Sequence, residues 1–323
     1  MAGPIPLGLL PDTTTVDGGR ASIGGCDLAA LAEQFGTPLF VYDEDHLRSR
    51  CREAVAAFGD GVAYASKAFL CTAMAKLAHE EGMHLDVATG GELYMALHAG
   101  VPADRLVMHG NNKSDLELAM AVEAGVGTIV VDSFDEMDRL DALHAETGAV
   151  PRVMLRITPG VEAHTHEFIS TGQDDSKFGF TVSTGLAAAA VERAVIADSI
   201  DLVGLHFHIG SQVFEVGAFS RAVEVMTGFA DPFGLPELSV GGGLGVAYVE
   251  GESAPTITQW AEGIRAVCDA AGVTARVSAE PGRAIAASAA VTLYTVGTVK
   301  DLPGLRTYVA VDGGMSDNPR PVL

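Results

Sequence analysis

The feature that most constrains the fold is a repeat that begins at Gly61, in which short apolar runs are each followed by an amphipathic segment. Apolar runs of about four to eight residues indicate buried strands, and apolar residues every three or four positions indicate helices. Eight such strands with their crossovers predict an α/β fold, a (β/α)8 TIM barrel. An open doubly wound sheet is the alternative, but no GxGxxG motif follows the first strand. The predicted strands are Val62–Ser66, His84–Ala88, Arg105–His109, Thr128–Asp132, Arg152–Ile157, Leu202–His208, Glu237–Val240 and Arg276–Ala279.

The segments on either side of this repeat predict a second domain that is rich in β-structure. Residues 1–42 are rich in turn-forming residues and predict irregular or edge-strand structure. Ala289–Val299 and Thr307–Val311 alternate like antiparallel strands. We therefore expect the barrel to comprise residues 43–288. Residues 1–42 are expected to join a second domain, a β-sandwich whose first part is residues 289–323. Because the chain stops soon after this sandwich begins, we expect the second domain to be truncated and incomplete.

The composition excludes several classes of partner. The net charge of −22 argues against nucleic acid or an anionic membrane as a partner. No stretch approaches the roughly 20 apolar residues that span a bilayer. The 4 cysteines are scattered without a CxxC pair, which is typical of reduced thiols in the cytoplasm. No metal-ligand spacing is present, so we predict a cytoplasmic protein without a metal site.

Three residues with chemical capacity lie on or at the ends of the early strands. Lys67 follows the first strand and precedes a helical pattern that begins at Phe69. A lysine at this position can be desolvated, which lowers the pKa of its amine and makes it a nucleophile. Asp86 ends the second strand and Arg156 lies on the fifth. Taken singly, Lys67 is better explained as a solvated lysine in a loop, and Asp86 is equally well explained as a loop or cap carboxylate.

The later strands end in further residues of this kind. His206 and His208 alternate on the sixth strand, so we expect one to face the barrel interior and the other the helices. Gly241–Gly243 follow the seventh strand, where backbone amides can hold a phosphate, although such a run also makes a tight turn. Glu280 and Arg283 follow the eighth strand and could form a structural ion pair. Together these positions predict an active site at the C-terminal ends of the strands.

Several motifs, in this order along the chain, resemble the fold-type III pyridoxal-phosphate decarboxylases. They are Tyr64–Lys67, His208–Ser211, Gly241–Gly243, Glu280–Arg283 and Val311–Pro321. Leu85–Leu93 and His164–Gly179 are similar to the diaminopimelate decarboxylases within that family. The resemblance covers nearly the whole chain and implies an alanine racemase-like barrel that binds pyridoxal 5'-phosphate.

The resemblance also implies a role for individual residues. Lys67 would hold the cofactor covalently, Glu280 would face its pyridine nitrogen, and His208 would stack on its ring. Asp86 and Arg156 would support the lysine and the ring oxygen. Arg283 and Arg320 would bind the substrate, because a guanidinium fork fits a carboxylate. The residues implied to hold the phosphate and ring are Ser211, Gly242, Gly243, Glu280, Gly282 and Arg283.

The implied reaction is decarboxylation of meso-2,6-diaminopimelate to L-lysine and CO2 by a homodimer when the chain is full length. An ornithine- or arginine-type decarboxylase is an alternative, but such a substrate has no distal carboxylate for two arginines to bind. A pyridoxal-phosphate-binding protein without activity is a second alternative. The family completes its active site with residues beyond the point where this chain stops, so we expect the chain to be inactive as it stands.

Overall fold

The computed structural model of the protein describes residues 6–161 and 172–318. The chain divides into two compact units. One comprises Met1–Ser49, Tyr248–Glu250 and Ala287–Leu323, and the other comprises Arg50–Ala247 and Gly251–Ala286. The domain boundaries predicted from the sequence stay predictions.

The strands and helices are numbered here in chain order. The strands are β1 (Thr15–Asp17), β2 (Arg20–Ile23), β3 (Cys26–Asp27), β4 (Leu39–Tyr42), β5 (Ala63–Ala65), β6 (His84–Val87), β7 (Leu106–Met108), β8 (Thr128–Val131), β9 (Arg152–Thr158), β10 (Phe180–Thr181), β11 (Asp201–Phe207), β12 (Glu237–Ser239), β13 (Arg276–Ser278), β14 (Ala290–Leu293), β15 (Val296–Leu302) and β16 (Arg306–Val311). The helices are α1 (Leu28–Phe35), α2 (Glu44–Phe58), α3 (Thr72–Glu80), α4 (Gly90–His98), α5 (Asp115–Ala124), α6 (Phe134–Thr147), α7 (Leu186–Ile196), α8 (Val216–Ala230), α9 (Ile257–Ala271) and α10 (Arg283–Ala286).

The larger unit is a parallel barrel, as the sequence predicts. Its strands follow the order β5-β6-β7-β8-β9-β11-β12-β13, and each pairs in parallel with the next. Two backbone hydrogen bonds join the first strand to the residues after the last, from Ala63 N to Ala279 O (2.9 Å) and from Ala65 N to Pro281 O (3.2 Å). All four residues of β8 are buried. A parallel strand covered on both faces is expected to be apolar throughout, and the sequence of β8 is Thr-Ile-Val-Val.

The connections between strands and helices are fixed by short polar motifs. Ser114 caps α5 and forms a capping box with Glu117, and Ser133 caps α6. The connection after β5 differs from the prediction. Residues Ser66–Ala68 form a turn of 3-10 helix, and α3 begins only at Thr72, because Cys71 is in an extended conformation. The predicted helix start at Phe69 is therefore wrong by three residues.

The smaller unit contains antiparallel β-structure. β1, β2 and β3 form one sheet, β4 pairs with β14, and β15 pairs with β16. The predicted strand Ala289–Val299 is in fact two strands, β14 and β15, separated at Tyr294 and Thr295. The first 42 residues also include a helix that was not predicted, α1, whose first turn is capped by Asp27. Among the described residues, no helix combines the length and apolar character needed to cross a membrane.

Candidate active site

The predicted site residues of the barrel meet at the C-terminal ends of its strands. Lys67 lies in the 3-10 turn that follows β5, and its side chain is exposed. The desolvation expected of this lysine is thus not present in the structure. Its ammonium charge is close enough to Asp86, His109 and His208 to affect the pKa of each. The amine of Lys67 is therefore accessible from solvent and lies near one carboxyl group and two imidazoles.

Asp86 and His109 form the first half of a buried group at this rim. Asp86 lies on β6 and His109 directly follows β7, with 3.5 Å between Asp86 Oδ1 and His109 Nε2. Neither atom has a hydrogen-bond partner among the described residues. Burial, together with the negative charge of Glu280, raises the pKa of Asp86 well above its usual value. Burial and the nearby positive charges lower the pKa of His109 to about 4, so its imidazole is neutral at pH 7.

Glu280 forms the second half and is held by side chains of two neighbouring strands. His206 Nε2 lies 3.0 Å from Glu280 Oε2, and Ser239 Oγ donates a hydrogen bond of 2.7 Å to Oε1. Burial opposes ionisation of Glu280, but His206, His109 and Ser239 favour the carboxylate more strongly and hold its pKa well below its usual value. We name Asp86, His109, His206 and Glu280 the acid–histidine cluster.

The pKa values of the two carboxyl groups of this cluster are shifted in opposite directions, upward for Asp86 and downward for Glu280. Two nearby buried carboxylates repel each other, so the one with more hydrogen-bond donors ionises first. Glu280 accepts the hydrogen bond of Ser239 and contacts His206, whereas Asp86 Oδ1 accepts none from the described residues. The cluster therefore holds a negative charge more readily at Glu280 than at Asp86.

His206, on β11, and His208, directly after it, both make contacts at the C-terminal rim, contrary to our expectation. His206 contacts Glu280, and His208 Nδ1 accepts a hydrogen bond of 3.2 Å from Gly242 N. Successive side chains of a strand point to opposite faces, so residues two apart share a face. The expectation that one of these histidines faces the helices was therefore wrong.

Arg156 reaches the same rim from β9. Its guanidinium carbon lies 4.2 Å from the centre of the Phe178 ring, and its Nη1 lies 3.8 Å from Asp132 Oδ2. Asp132 directly follows β8, and its Oδ1 accepts a hydrogen bond of 2.7 Å from Gly179 N. The arginine is thus held between an aromatic face and a buried carboxylate.

Two loops form the opposite side of the site, and we call residues 210–213 and 241–246 the loop pair. Val213 N donates to Gly243 O and Gly245 N donates to Val213 O, both at 2.9 Å. The Gln212 side chain donates to Val246 O (2.8 Å) and accepts from Val246 N (3.2 Å). Gln212 makes these bonds with a φ of 60°, a conformation that non-glycine residues seldom adopt.

Glycine is required where the loops approach each other. A Cβ at Gly243, which has a φ of +115°, would lie 2.1 Å from Gly210 O. A Cβ at Gly242 would lie 2.1 Å from Glu280 O. Beside these glycines, Arg283 Nη2 donates a hydrogen bond of 3.2 Å to Ser211 Oγ. The loop pair therefore brings backbone amides, a hydroxyl and a guanidinium to one place, which is the donor set that a phosphate needs.

This arrangement fits the cofactor that the sequence resemblance implies. Lys67 offers an accessible amine for an aldehyde, the loop pair and Arg283 offer donors for a phosphate, and Glu280 offers a fixed negative charge for a protonated ring nitrogen. The unpartnered atoms of Asp86 and His109 provide polar groups for a ligand that lies between these parts. The residues present therefore suit pyridoxal 5'-phosphate.

Some site residues were predicted and others were missed. The barrel brings Lys67, Asp86, Arg156, His208 and Glu280 to one rim, whereas Arg320 lies outside the described residues. The segment from His164 to Gly179 falls outside them in part, since residues 162–171 are not described. His109, Asp132, His206 and Ser239 were given no role, although each lies at or next to a strand end, and position alone could have identified them.

The ligand atoms of His109, His206 and Glu280 lie within 4.8 Å of one another, a spacing that could hold a cation, and the absence of a metal stays a prediction.

Comparison with known proteins agrees with this site. Residues 44–287 match the model of the pyridoxal-dependent decarboxylase family, pyridoxal binding domain. The chain is 50% identical to diaminopimelate decarboxylase of Mycobacterium tuberculosis over 97% of this chain and 74% of that protein. It is 48% identical to the same enzyme of Halalkalibacterium halodurans over 96% of this chain and 75% of that protein. The crystal structure of diaminopimelate decarboxylase from M. jannaschii superposes with a TM-score of 0.90 at 32% identity, over 97% of this chain and 76% of that chain. The chain therefore belongs to the pyridoxal-dependent decarboxylase family, in the branch of the diaminopimelate decarboxylases.

Proposed function

We propose that this protein is a carboxy-lyase that uses pyridoxal 5'-phosphate to convert meso-2,6-diaminopimelate to L-lysine and CO2. The observation that supports it most strongly is the buried Glu280 carboxylate, held by His206 and Ser239 on the same rim as Lys67. The family and the relatives above supply the substrate, because they carry this activity in their names.

Lys67 and Glu280 have the two central roles in this proposal. Lys67 would hold the cofactor through its amine, and its exposed position would leave that end of the cofactor accessible to a substrate amine. The bound cofactor supplies an electron sink for the negative charge that CO2 leaves on the substrate. Glu280 keeps the ring nitrogen protonated, because a fixed carboxylate next to that nitrogen favours its charged form.

The remaining residues of the rim orient the cofactor. His208 would stack on the ring, and the hydrogen bond from Gly242 N to its Nδ1 fixes the orientation of its imidazole. Asp86, whose pKa is raised by burial and by Glu280 and lowered by the positive charge of Lys67, would support the lysine. Arg156 would support the ring oxygen. Ser211, Gly242, Gly243, Gly282 and Arg283 hold the phosphate.

The substrate is distinguished by its distal carboxylate, which Arg283 and Arg320 bind in this proposal. Ornithine and arginine have no such group, so they would leave these guanidinium groups without an anion. The test is to load the full-length protein with pyridoxal 5'-phosphate and measure CO2 from meso-diaminopimelate, ornithine and arginine at equal concentration. We expect release from meso-diaminopimelate alone. Preferential release from ornithine or arginine would contradict the assignment of substrate, and loading without any release would favour the binding protein without activity.

We further propose that the full-length protein is a homodimer in the cytoplasm, as the resemblance implies. The free cysteines Cys26, Cys51, Cys71 and Cys268 suit a reducing compartment. Sedimentation velocity on the loaded protein tests the dimer, and a monomer at micromolar concentration would contradict it.

A further inference from the structure

A buried ion pair lies beneath the rim of the active site and is not part of it. Lys113 precedes α5 and Glu136 lies in the first turn of α6, and the side chains of both are almost wholly buried. Lys113 Nζ donates three hydrogen bonds, to Glu136 Oε1 (2.6 Å), Val130 O (2.6 Å) and Gly110 O (2.9 Å). An ammonium group has three donors, so every donor of Lys113 is used.

The two carbonyl groups that Lys113 binds belong to the ends of neighbouring strands. Val130 lies on β8, and Gly110 follows His109 of the acid–histidine cluster. Glu136 completes the arrangement, since its Oε2 accepts a hydrogen bond of 3.0 Å from Asp132 N. The pair therefore fixes the backbone next to His109, through Gly110 O, and the backbone at Asp132, through Val130 O and Asp132 N.

From Asp132 the contacts continue to Arg156. Asp132 Oδ1 binds Gly179 N at 2.7 Å and its Oδ2 lies 3.8 Å from Arg156 Nη1. The negative charges of Asp132 and Glu280 both act on Arg156. A continuous series of contacts thus links Lys113 and Glu136 to the guanidinium that lies on the rim.

Fold stability is a poor explanation for this pair. Removing two charges from water costs free energy that their attraction seldom repays, and a well-packed apolar pair is often as stable. Buried charges that bind backbone groups at defined positions do, however, fix geometry.

We propose that Lys113 and Glu136 are positioning residues, which place Asp132, and through it Arg156, at the distance that cofactor binding and decarboxylation require. This inference rests on the proposed function, because Arg156 has a role only if the rim binds pyridoxal 5'-phosphate. It assigns the pair no contact with the cofactor or the substrate.

The test compares two double variants that both remove the buried charges. In Lys113→Met/Glu136→Leu the hydrogen bond to Asp132 N is lost, whereas in Lys113→Met/Glu136→Gln the amide oxygen can still accept it. We expect the Leu variant to raise the dissociation constant for pyridoxal 5'-phosphate roughly 10- to 100-fold, because displacements of about 1 Å have effects of this size. The Gln variant should recover most of the affinity.

A matched control lies at the N-terminal ends of three other barrel strands, β9, β12 and β13. Glu237 on β12 binds Arg152 at 2.9 Å and Arg276 at 2.7 Å, and both arginines are about half exposed. Glu237→Leu should lower the melting temperature as much as the Leu double variant does, but leave cofactor affinity unchanged. Equal affinity losses in both proteins would mean that the Lys113–Glu136 pair acts only on stability, and would overturn the proposal.

A double-mutant cycle tests the route through Asp132. In an Asp132→Ala background, the Lys113→Met/Glu136→Leu change should cause little further loss of affinity, because the residue through which the pair acts is already absent. If the losses of cofactor affinity caused by Asp132→Ala and by Lys113→Met/Glu136→Leu add together, this route is contradicted. Failure of both double variants to fold would contradict it as well. If the unmodified protein itself binds no pyridoxal 5'-phosphate, the proposed function fails. Normal binding by Lys113→Met/Glu136→Leu is a different result, which refutes only the positioning role.

Discussion

The acid–histidine cluster and the loop pair face the same site but are built in different ways. The cluster consists of buried ionisable side chains whose protonation states depend on one another, as Asp86 and Glu280 show. The loop pair consists of backbone groups and the neutral amide of Gln212, joined by hydrogen bonds between 2.8 and 3.2 Å. The acid–histidine cluster therefore acts on a ligand through charge, whereas the loop pair acts through the fixed positions of its backbone groups.

This difference assigns the two sides different parts of the function. A charge that stabilises negative charge developing during the reaction raises the rate, with little effect on ground-state binding. A rigid set of donors that fits a phosphate contributes to binding in every state, because the phosphate does not change during the reaction. Substitutions in the cluster should therefore affect kcat, whereas substitutions in the loop pair should affect cofactor affinity.

The largest effect is expected from Glu280→Gln. The amide keeps the shape but cannot hold the cofactor ring nitrogen protonated, so kcat should fall roughly 100- to 1,000-fold. Steady-state kinetics of the full-length protein at saturating cofactor measures this loss, and cofactor titration should show an affinity close to that of the unmodified protein. Glu237→Gln is the matched control, since it removes a charge from another buried glutamate at the far end of the barrel. A Glu280→Gln enzyme that kept most of its kcat would contradict the role of the cluster.

A smaller effect, of the opposite kind, is expected from Gly243→Ala. The new Cβ would lie 2.1 Å from Gly210 O, so the loops must separate and the phosphate donors must move. Cofactor affinity should fall about tenfold, while kcat at saturating cofactor should stay within about twofold. Gly228→Ala on α8 is the control, because a Cβ there meets nothing within 4 Å. A loss of kcat without a loss of affinity would show that the two sides are not separable.

The smallest effect concerns the pH dependence of stability in the cofactor-free protein. Burial lowers the pKa of His109 to about 4, below the value of 6.5 of an exposed histidine. Between these values the unfolded chain binds the proton and the folded chain does not, so this histidine lowers stability as the pH falls from 7 to 5. The contribution is about 2 kcal/mol over that range. The raised pKa of Asp86 acts in the opposite direction, because its folded carboxyl binds a proton at a pH where the unfolded one does not.

Urea unfolding at pH 7 and pH 5 of the unmodified protein and of His109→Gln isolates the histidine. The variant should lose about 2 kcal/mol less on acidification, because Asp86 is present in both proteins. Gly243→Ala should change stability equally at both pH values, since it adds no ionisable group. An identical acid dependence in His109→Gln and the unmodified protein would contradict the buried, neutral state of His109.

The barrel could be predicted closely from the sequence, because its strands are marked by apolar runs that end at polar residues. The predicted strands Val62–Ser66 and Glu237–Val240 extend the observed strands Ala63–Ala65 and Glu237–Ser239 by two residues at most. The helix after Lys67 was placed too early, because apolar periodicity at Phe69 and Leu70 does not show that Cys71 is extended.

The site could be predicted in part. Glycines and Lys67 are recognisable from short motifs, since their chemistry depends on neighbours in sequence. The contacts of Glu280 with His206 and Ser239 join residues that are 74 and 41 positions apart, and the contact of Lys113 with Glu136 spans 23 positions. Such contacts depend on the packing of strands around the barrel, and the residues look like ordinary surface charges in the sequence. Lys113 in particular follows Asn111 and Asn112, which resemble a solvated loop.

The central claim, that Lys67 holds the cofactor at this rim, is tested most directly by reductive trapping. The protein is loaded with pyridoxal 5'-phosphate, reduced with borohydride, digested and mapped by mass spectrometry. The chain has five lysines, at positions 67, 76, 113, 177 and 300, so the label can be assigned without ambiguity. We predict a single label on Lys67 that is absent from Lys67→Arg. A label on Lys113 or another lysine, or no label on a folded protein, would contradict the account.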